Sequence, residues 1–180
     1  MNLKDKYVFR PYNPLFPILF ESEKVRLQKT LGENIQIDHI GSTAVPGLGG
    51  KGVIDISIAI SKDKWPETSN ELKELGYEYK KKDEETENQR LFFMAYLPDK
   101  ELETRIYHIH LTYPESQELR NEIGFRNYLQ THQDAVNEYA DIKIKAAEEA
   151  QKFNTKDEMR DTYAKIKQDF IQKIIEKFDN

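Results

Sequence analysis

Residues 53–60, written VIDISIAI, constrain the fold more than any other segment of the chain. Isoleucine recurs at every second position, while Asp55 and Ser57 fall among the positions between. Side chains two residues apart on a β-strand point to the same face of a sheet, so this alternation predicts a strand. An ionised carboxylate buried without a partner is costly, so we expect Asp55 to be paired, hydrogen-bonded or directed into a cleft.

A glycine-rich loop, residues 41–52, leads into this strand. Gly47, Gly49 and Gly52 match the dinucleotide-binding pattern G-x-G-x-x-G letter for letter. That motif requires a strand before the glycines and a helix that opens within them, whereas here the glycines run directly into a strand. A Walker A loop is excluded because Gly52 stands where a serine or threonine would bind magnesium. A tight connection in which glycine provides positive φ is the plain alternative.

The remaining patterns predict an α+β fold, a mixed sheet flanked by helices with a helical C-terminal region. Apolar spacing predicts helices at 15–31, 65–75, 116–130, 132–152 and 156–178, and strands at 35–40, 53–60, 77–80, 90–97 and 104–113. An exposed charged loop is expected at 80–89, and a hairpin turn at Pro98-Asp99-Lys100. We expect residues 1–114 to form an α/β core and residues 115–180 a helical region packed on it as one structural unit.

The last predicted helix carries an apolar stripe with spacings of three and four residues. Its members are Met159, Tyr163, Ile166, Phe170 and Ile174. Such a stripe predicts packing against the rest of the chain, with a contact to a second copy in a homo-oligomer as the alternative.

Composition narrows the classes of partner. The 180 residues include 27 basic and 32 acidic ones, a net charge of -5, so we expect no nucleic-acid partner. Cysteine is absent, which excludes disulfides and thiolate-bound zinc. We find neither an apolar signal segment at the start nor a run of about 20 apolar residues, so we expect a cytoplasmic protein with no membrane contact.

The pair Gly41-Ser42, followed by Asp55 on a strand, resembles the signature of the nucleotidyltransferase superfamily related to DNA polymerase beta. In that superfamily a Gly-Ser pair approaches nucleotide phosphates, and a strand written Asp-hydrophobic-Asp/Glu supplies magnesium ligands. Two carboxylates on one face of a strand can hold hard cations that neutralise a transferring phosphoryl group. Here Ser57 replaces the second acid.

More widely, the chain resembles the GrpB family, a branch of that superfamily, over nearly its whole length. The blocks that carry the resemblance are YNPLFP at 12–17, HIGSTAVPGL at 39–48, Lys51, IDI at 54–56, Arg90, HIHL at 108–111, FR at 125–126, EYA at 138–140, Lys143, Tyr163 and Lys167. Asn127 departs from the aspartate that is common after the arginine at 126. The resemblance implies a nucleotidyltransferase-like fold without implying a settled reaction.

The candidate site residues follow from these two resemblances and from the residue chemistry. Asp55 and His110 are candidate catalytic residues, and Asp55, His108 and His110 are candidate ligands of Mg²⁺ or Mn²⁺, with Zn²⁺ less favoured. The candidate binders of nucleotide or phosphate are Gly41, Ser42, Thr43, Lys51, Arg90, Arg126 and Lys143. The structural alternatives are a hydrogen bond from the loop amides to Asp55, a satisfied pair of buried histidines, helix capping and solvated charges.

Three functions remain open. The first is metal-dependent nucleotidyl transfer from a nucleoside triphosphate to an unknown small acceptor. The second is a non-catalytic module that binds a nucleotide or another phosphorylated ligand, which the replacement of the second acid by Ser57 favours. The third is an interaction or folding-assistance domain that uses the C-terminal helices.

Overall fold

A five-stranded mixed sheet forms the centre of the molecule. The structure, a computed structural model, describes residues 7–99 and 103–178. The strands are β1 (Gln36–Ile40), β2 (Ile54–Ala59), β3 (Glu78–Tyr79), β4 (Leu91–Asp99) and β5 (Glu103–Thr112). Their order across the sheet is β1-β2-β5-β4-β3, with β2 and β5 parallel and every other neighbouring pair antiparallel. The α+β prediction is confirmed.

The helices are α1 (Phe16–Leu31), α2 (Trp65–Glu74), α3 (Glu84–Gln89), α4 (Gln117–Thr131), α5 (Gln133–Ala150) and α6 (Lys156–Ile175). Five of them lie where the apolar spacing predicts, to within a few residues. Helix α3 falls inside the expected charged loop, so the prediction of a loop throughout 80–89 was wrong. The Asp83 side chain accepts a hydrogen bond from the Thr86 amide at 2.9 Å, and acidic residues in the first turn favour a helix there.

The predicted hairpin turn is also displaced. Pro98 and Asp99 still pair in the β4–β5 ladder, opposite Thr104 and Glu103. The predicted turn was therefore placed too early, and its last residue, Lys100, lies outside the described residues.

The isoleucines of β2 face the larger core. Ile54, Ile56 and Ile58 are fully buried and pack with residues of α1 and α2, among them Leu27 and Leu72. Since alternate residues of a strand point to opposite faces, Asp55 and Ser57 lie on the other face, beneath the C-terminal helices.

The C-terminal helices pack on the glycine-rich loop. Val45 and Leu48 of the loop are buried in one cluster with Tyr139 of α5 and Phe170 of α6, whose rings stack at 4.8 Å. Of the predicted apolar stripe on α6, Met159, Tyr163, Phe170 and Ile174 are buried and Ile166 is partly buried. The stripe packs within the chain, as predicted.

No helix in the described part of the chain combines the length and apolarity that crossing a membrane requires.

Candidate functional site

A cavity of about 200 Å³ opens on the sheet face opposite the isoleucines of β2. Its wall comes from the glycine-rich loop, β2, β5, α4, α5 and α6. The polar residues and the glycine that line it are Gly41, Ser42, Lys51, Asp55, His108, Tyr139, Lys143, Tyr163 and Lys167. Five residues predicted for nucleotide, phosphate or metal binding thus meet here: Gly41, Ser42, Lys51, Asp55 and His108. Lys143, also a candidate phosphate binder, joins them from α5.

Gly41 lets the loop pass close over Asp55. Its backbone has φ 69° and ψ -167°, a region that is essentially restricted to glycine. A Cβ atom at this position would lie 2.5 Å from Oδ2 of Asp55. Ser42 begins a single 3₁₀ turn directly after this glycine, so the turn and the carboxylate share one side of the cavity.

Asp55 is held by His108, its neighbour in the parallel β2–β5 pairing. Nδ1 of His108 donates a hydrogen bond to Oδ1 of Asp55 at 3.0 Å. Burial by itself favours the neutral acid. That hydrogen bond and the charges of His108, His110 and Lys51 outweigh burial and lower the pKa of Asp55 to about 2. Asp55 is therefore ionised at neutral pH, and its side chain is 23% exposed.

Three lysines line the cavity together with this carboxylate. Lys143 is only 4% exposed, and its Nζ donates a hydrogen bond to the Gly49 carbonyl at 2.6 Å. Burial and the charge of Lys167 lower the pKa of Lys143 well below its usual value. Burial and the charge of Lys51 lower the pKa of Lys167 to about 8, and burial also lowers the pKa of Lys51. Three lysine side chains thus line a cavity that holds one carboxylate, an arrangement that suits an anion.

The amino groups of these lysines lie over tyrosine rings. Nζ of Lys167 lies 4.4 Å from the centre of the Tyr163 ring, and Nζ of Lys51 lies 4.8 Å from the same ring. Nζ of Lys143 lies 5.4 Å from the Tyr139 ring. Helices α5 and α6 therefore each present a tyrosine followed four residues later by a lysine, a spacing that places both on one helix face.

Thr43 and Arg126 support the loop from outside the cavity lining. The Thr43 hydroxyl donates to the Val53 carbonyl at 3.0 Å, so it accepts at 2.9 Å from Nε2 of His39. Burial lowers the pKa of His39 to about 4, which keeps this imidazole neutral. Arg126 donates to the His39 carbonyl at 2.8 Å. Arg126 also donates to Oδ1 of Asn127 at 3.0 Å, so the hydrogen bonds of both residues are with other protein groups.

Arg90 and His110 lie in a second group on the same sheet face, the arginine cluster, which consists of Arg90, His110, Glu118 and Glu122. Nε of Arg90 lies 3.0 Å from Glu118, and Nη1 lies 3.3 Å from Glu122. Nδ1 of His110 also contacts the Glu122 carboxylate. The three predicted metal ligands are thus divided, because Asp55 and His108 face the cavity while His110 is held in this cluster.

Within the described ranges, the three metal-type ligands whose atoms lie within 4.8 Å of one another are His110, Glu118 and Glu122. The guanidinium group of Arg90 already contacts all three side chains. The cation bound by His110, Glu118 and Glu122 is therefore the guanidinium group of Arg90.

Sequence reasoning gave no role to Lys167, although it was part of the family resemblance. The available signal was its spacing, because Lys167 follows Tyr163 by one helical turn on the buried stripe of α6. A lysine beside such a stripe is expected to face a partner or a cavity.

The fold agrees with the comparisons with known proteins. The family model described as GrpB protein matches residues 7–177. A UPF0157 protein of Halalkalibacterium halodurans is 30% identical over 140 residues, 76% of this chain and 67% of that protein. A UPF0157 protein of Pseudomonas aeruginosa is 33% identical over 141 residues, 77% of this chain but only 56% of that protein.

A crystal structure of the conserved protein GrpB from Enterococcus faecalis superimposes with a TM-score of 0.72 and 27% sequence identity. The superposition covers 96% of this chain and 100% of that one. The chain therefore belongs to the GrpB family.

Proposed function

We propose that this protein binds the phosphate groups of a small phosphorylated ligand, a nucleotide, in the cavity between β2 and helices α5 and α6. The observation that carries the proposal is the convergence of Lys51, Lys143 and Lys167 on a cavity whose single carboxylate is Asp55. The three lysines come from distant parts of the sequence.

The lysines oppose one another's charge. Lys51 lowers the pKa of Lys167, and Lys167 lowers that of Lys143, after the larger effect of burial in both cases. A bound phosphate would relieve this repulsion and accept hydrogen bonds from the ammonium groups. Amide groups of the turn at Ser42 and the Ser42 hydroxyl are suited to the remaining phosphate oxygens.

Metal-dependent nucleotidyl transfer is the second candidate. It is favoured by the ionised state of Asp55, since Mg²⁺ binds in many sites through one or two carboxylates together with substrate phosphates and waters. The protein donors fit a cation less well than an anion, because three lysine side chains line the cavity with that one carboxylate. Ser57 also provides no second acid, and His110 is held in the arginine cluster. Binding without a protein-built metal site is therefore the better-supported function.

The test is a calorimetric titration of ATP and of inorganic tripolyphosphate, each with and without Mg²⁺ or Mn²⁺. We expect both to bind, and we expect Lys167→Met to weaken both about tenfold or more, the loss expected for a charged hydrogen bond. Lys165→Met, on the exposed side of the same helix, is the matched control and should change nothing. Absence of binding for both compounds, or equal effects of the two substitutions, would overturn the proposal.

Asp55→Asn separates the two candidates. If the cavity binds phosphate alone, removal of the negative charge strengthens the metal-free binding of tripolyphosphate. If Asp55 acts through a cation, binding depends on Mg²⁺ or Mn²⁺ and is lost in Asp55→Asn. The second result, together with pyrophosphate release from ATP, would establish nucleotidyl transfer.

A further inference from the structure

A groove of about 400 Å³ continues from the cavity across the neighbouring part of the sheet. The two spaces share Lys51, Val53 and His108 in their walls. The groove floor consists of Phe92, Met94 and Tyr96 of β4 with Ile106 of β5, and its rim carries Lys80, Lys81, Lys82, Lys156 and Arg160.

The floor is an apolar and aromatic surface that remains open to solvent. Phe92, Met94 and Tyr96 are alternate residues of β4 and so point to one face of the sheet. Tyr96 is 45% exposed, and the Phe92 ring lies 4.9 Å from the His108 ring at the boundary with the cavity. Large aromatic side chains in such a position are typical of surfaces that bind planar groups.

The rim has an excess of positive charge. Lys80 pairs with Glu78, and Arg160 lies 3.0 Å from Asp157 and 2.9 Å from Asp161. The structure records no carboxylate partner within 4.0 Å, among the described residues, for Lys81, Lys82 or Lys156. Nζ of Lys82 instead lies 4.7 Å from the Phe92 ring centre. The exposed charged loop expected at 80–89 from the sequence gave no indication that Lys81 and Lys82 line a concave surface.

We propose that the groove holds the nucleoside part of the same ligand whose phosphates occupy the cavity, with the base packed on Tyr96, Met94 and Phe92. This inference rests on the proposed function. The cavity alone is smaller than the range of about 300–1,000 Å³ that is usual for sites of small organic ligands, and the groove brings the site into that range. Lys51, which lines both spaces, provides a cationic contact at the point where the phosphate chain would leave the cavity.

The rim lysines suit the same ligand. A polyanion is attracted by uncompensated ammonium groups around a concave surface, which raises its local concentration. An aromatic base gains further affinity by stacking, independently of its hydrogen-bonding edge. The chemical class that satisfies both spaces is therefore a nucleoside polyphosphate.

A comparison of ATP with tripolyphosphate tests this inference, because the two differ by the nucleoside alone. We expect ATP to bind the intact protein about tenfold more tightly, the gain expected from stacking one base. Tyr96→Ala should reduce the affinity for ATP to near that for tripolyphosphate and leave tripolyphosphate binding unchanged. Tyr96→Phe, which keeps the ring, should retain the preference. Met94→Ala provides an independent variant of the floor should Tyr96→Ala reduce stability.

The outcomes separate the two proposals. Equal affinities for ATP and tripolyphosphate would overturn the groove inference and leave phosphate binding in the cavity intact. Failure of both to bind would overturn both proposals. Tighter binding of a short single-stranded oligonucleotide than of ATP, with loss in Tyr96→Ala, would overturn the inference in favour of a nucleic-acid strand in the groove.

Discussion

Two histidines of β5, His108 and His110, lie two residues apart on one face of the sheet and belong to opposite electrostatic environments. His108 holds Asp55 beside a cavity in which Lys51, Lys143 and Lys167 outnumber the carboxylates. His110 lies in the arginine cluster, where one guanidinium group contacts two glutamates. In one region lysines outnumber the carboxylate and border an open space, whereas in the other the charged groups contact one another directly.

This difference distinguishes residues suited to binding a ligand from residues that stabilise the fold. Groups whose charges are already paired have little to gain from a ligand, since a ligand would have to replace partners that the fold provides. Unbalanced ammonium groups beside a cavity gain a partner when an anion binds. This contrast supports the proposal that phosphate binds in the cavity, while the arginine cluster fastens α4 to the sheet.

The largest effect is expected from closing the approach between the glycine-rich loop and Asp55. Gly41→Ala forces a Cβ atom to within 2.5 Å of Oδ2 of Asp55 at a backbone conformation essentially restricted to glycine. We expect a loss of about 3 kcal/mol in the free energy of unfolding, together with loss of tripolyphosphate binding. Urea unfolding and calorimetry measure the two effects.

Gly47→Ala is the control for this change. Gly47 also has positive φ, at 81°, but a Cβ atom there meets nothing within 4 Å. It should cost about 1 kcal/mol and leave anion affinity unchanged. Equal losses for the two variants would show that Asp55 does not depend on the close approach of Gly41.

Breaking the arginine cluster should reduce stability without affecting the cavity. Arg90→Met leaves Glu118, Glu122 and His110 without their cationic partner, so we expect a loss of about 2 kcal/mol in unfolding free energy. Arg120→Met, on the exposed side of α4, should cost under about 0.5 kcal/mol. Tripolyphosphate affinity should stay within about twofold in both variants. A tenfold weakening in Arg90→Met alone would restore the prediction that Arg90 binds phosphate.

Anion affinity should depend on pH through Lys167. Because burial and the charge of Lys51 lower the pKa of Lys167 to about 8, this side chain is cationic below pH 8 and neutral above it. Affinity for tripolyphosphate should therefore fall as pH rises through 8, by about tenfold at one pH unit above the pKa, equivalent to about 1.4 kcal/mol. Lys167→Gln should remove this step, and comparison at each pH cancels the ionisation of the ligand. A step that persists in Lys167→Gln would assign it to another group.

The parts of the cavity that sequence could predict are those set by local chain geometry. Strand alternation places Asp55 on the sheet face opposite the isoleucines of β2. The loop of residues 41–52 is short enough to keep Gly41 and Ser42 beside that strand. His108 was predicted as a site residue, and the parallel register that places it opposite Asp55 appears only in the sheet. The fold was similarly predictable, since its longer elements follow strong apolar periodicity.

The remaining features depend on how helices dock, which periodicity does not encode. Arg90 and His110 look as suitable for phosphate or metal as Lys51 and His108 until α4 brings Glu118 and Glu122 against them. Lys167 reaches the cavity because α6 packs against the glycine-rich loop, where Phe170 is buried with Val45 and Leu48. The lysines at 80–82 become part of a groove because α6 lies opposite them, with Lys156 and Arg160 on the facing rim.

Ser57 provides the smallest predicted effect and the sharpest test of the boundary between the two regions. It lies on β2 two residues after Asp55, opposite His110 in the β2–β5 ladder, and is fully buried. Its hydroxyl has no hydrogen-bond partner among the described residues. Ser57→Ala replaces the unpaired buried hydroxyl group with a hydrogen atom and so removes a desolvated polar atom. We expect the unfolding free energy, measured by urea denaturation, to change by less than about 0.5 kcal/mol. Ser116→Ala is the matched control. Ser116 is equally buried, but its hydroxyl caps α4 and forms a hydrogen bond with the Thr112 hydroxyl at 2.6 Å. We expect Ser116→Ala to lower the unfolding free energy by about 1 kcal/mol. A loss above about 2 kcal/mol in Ser57→Ala would mean that the hydroxyl has a partner in solution and that the two regions are joined through it rather than separate.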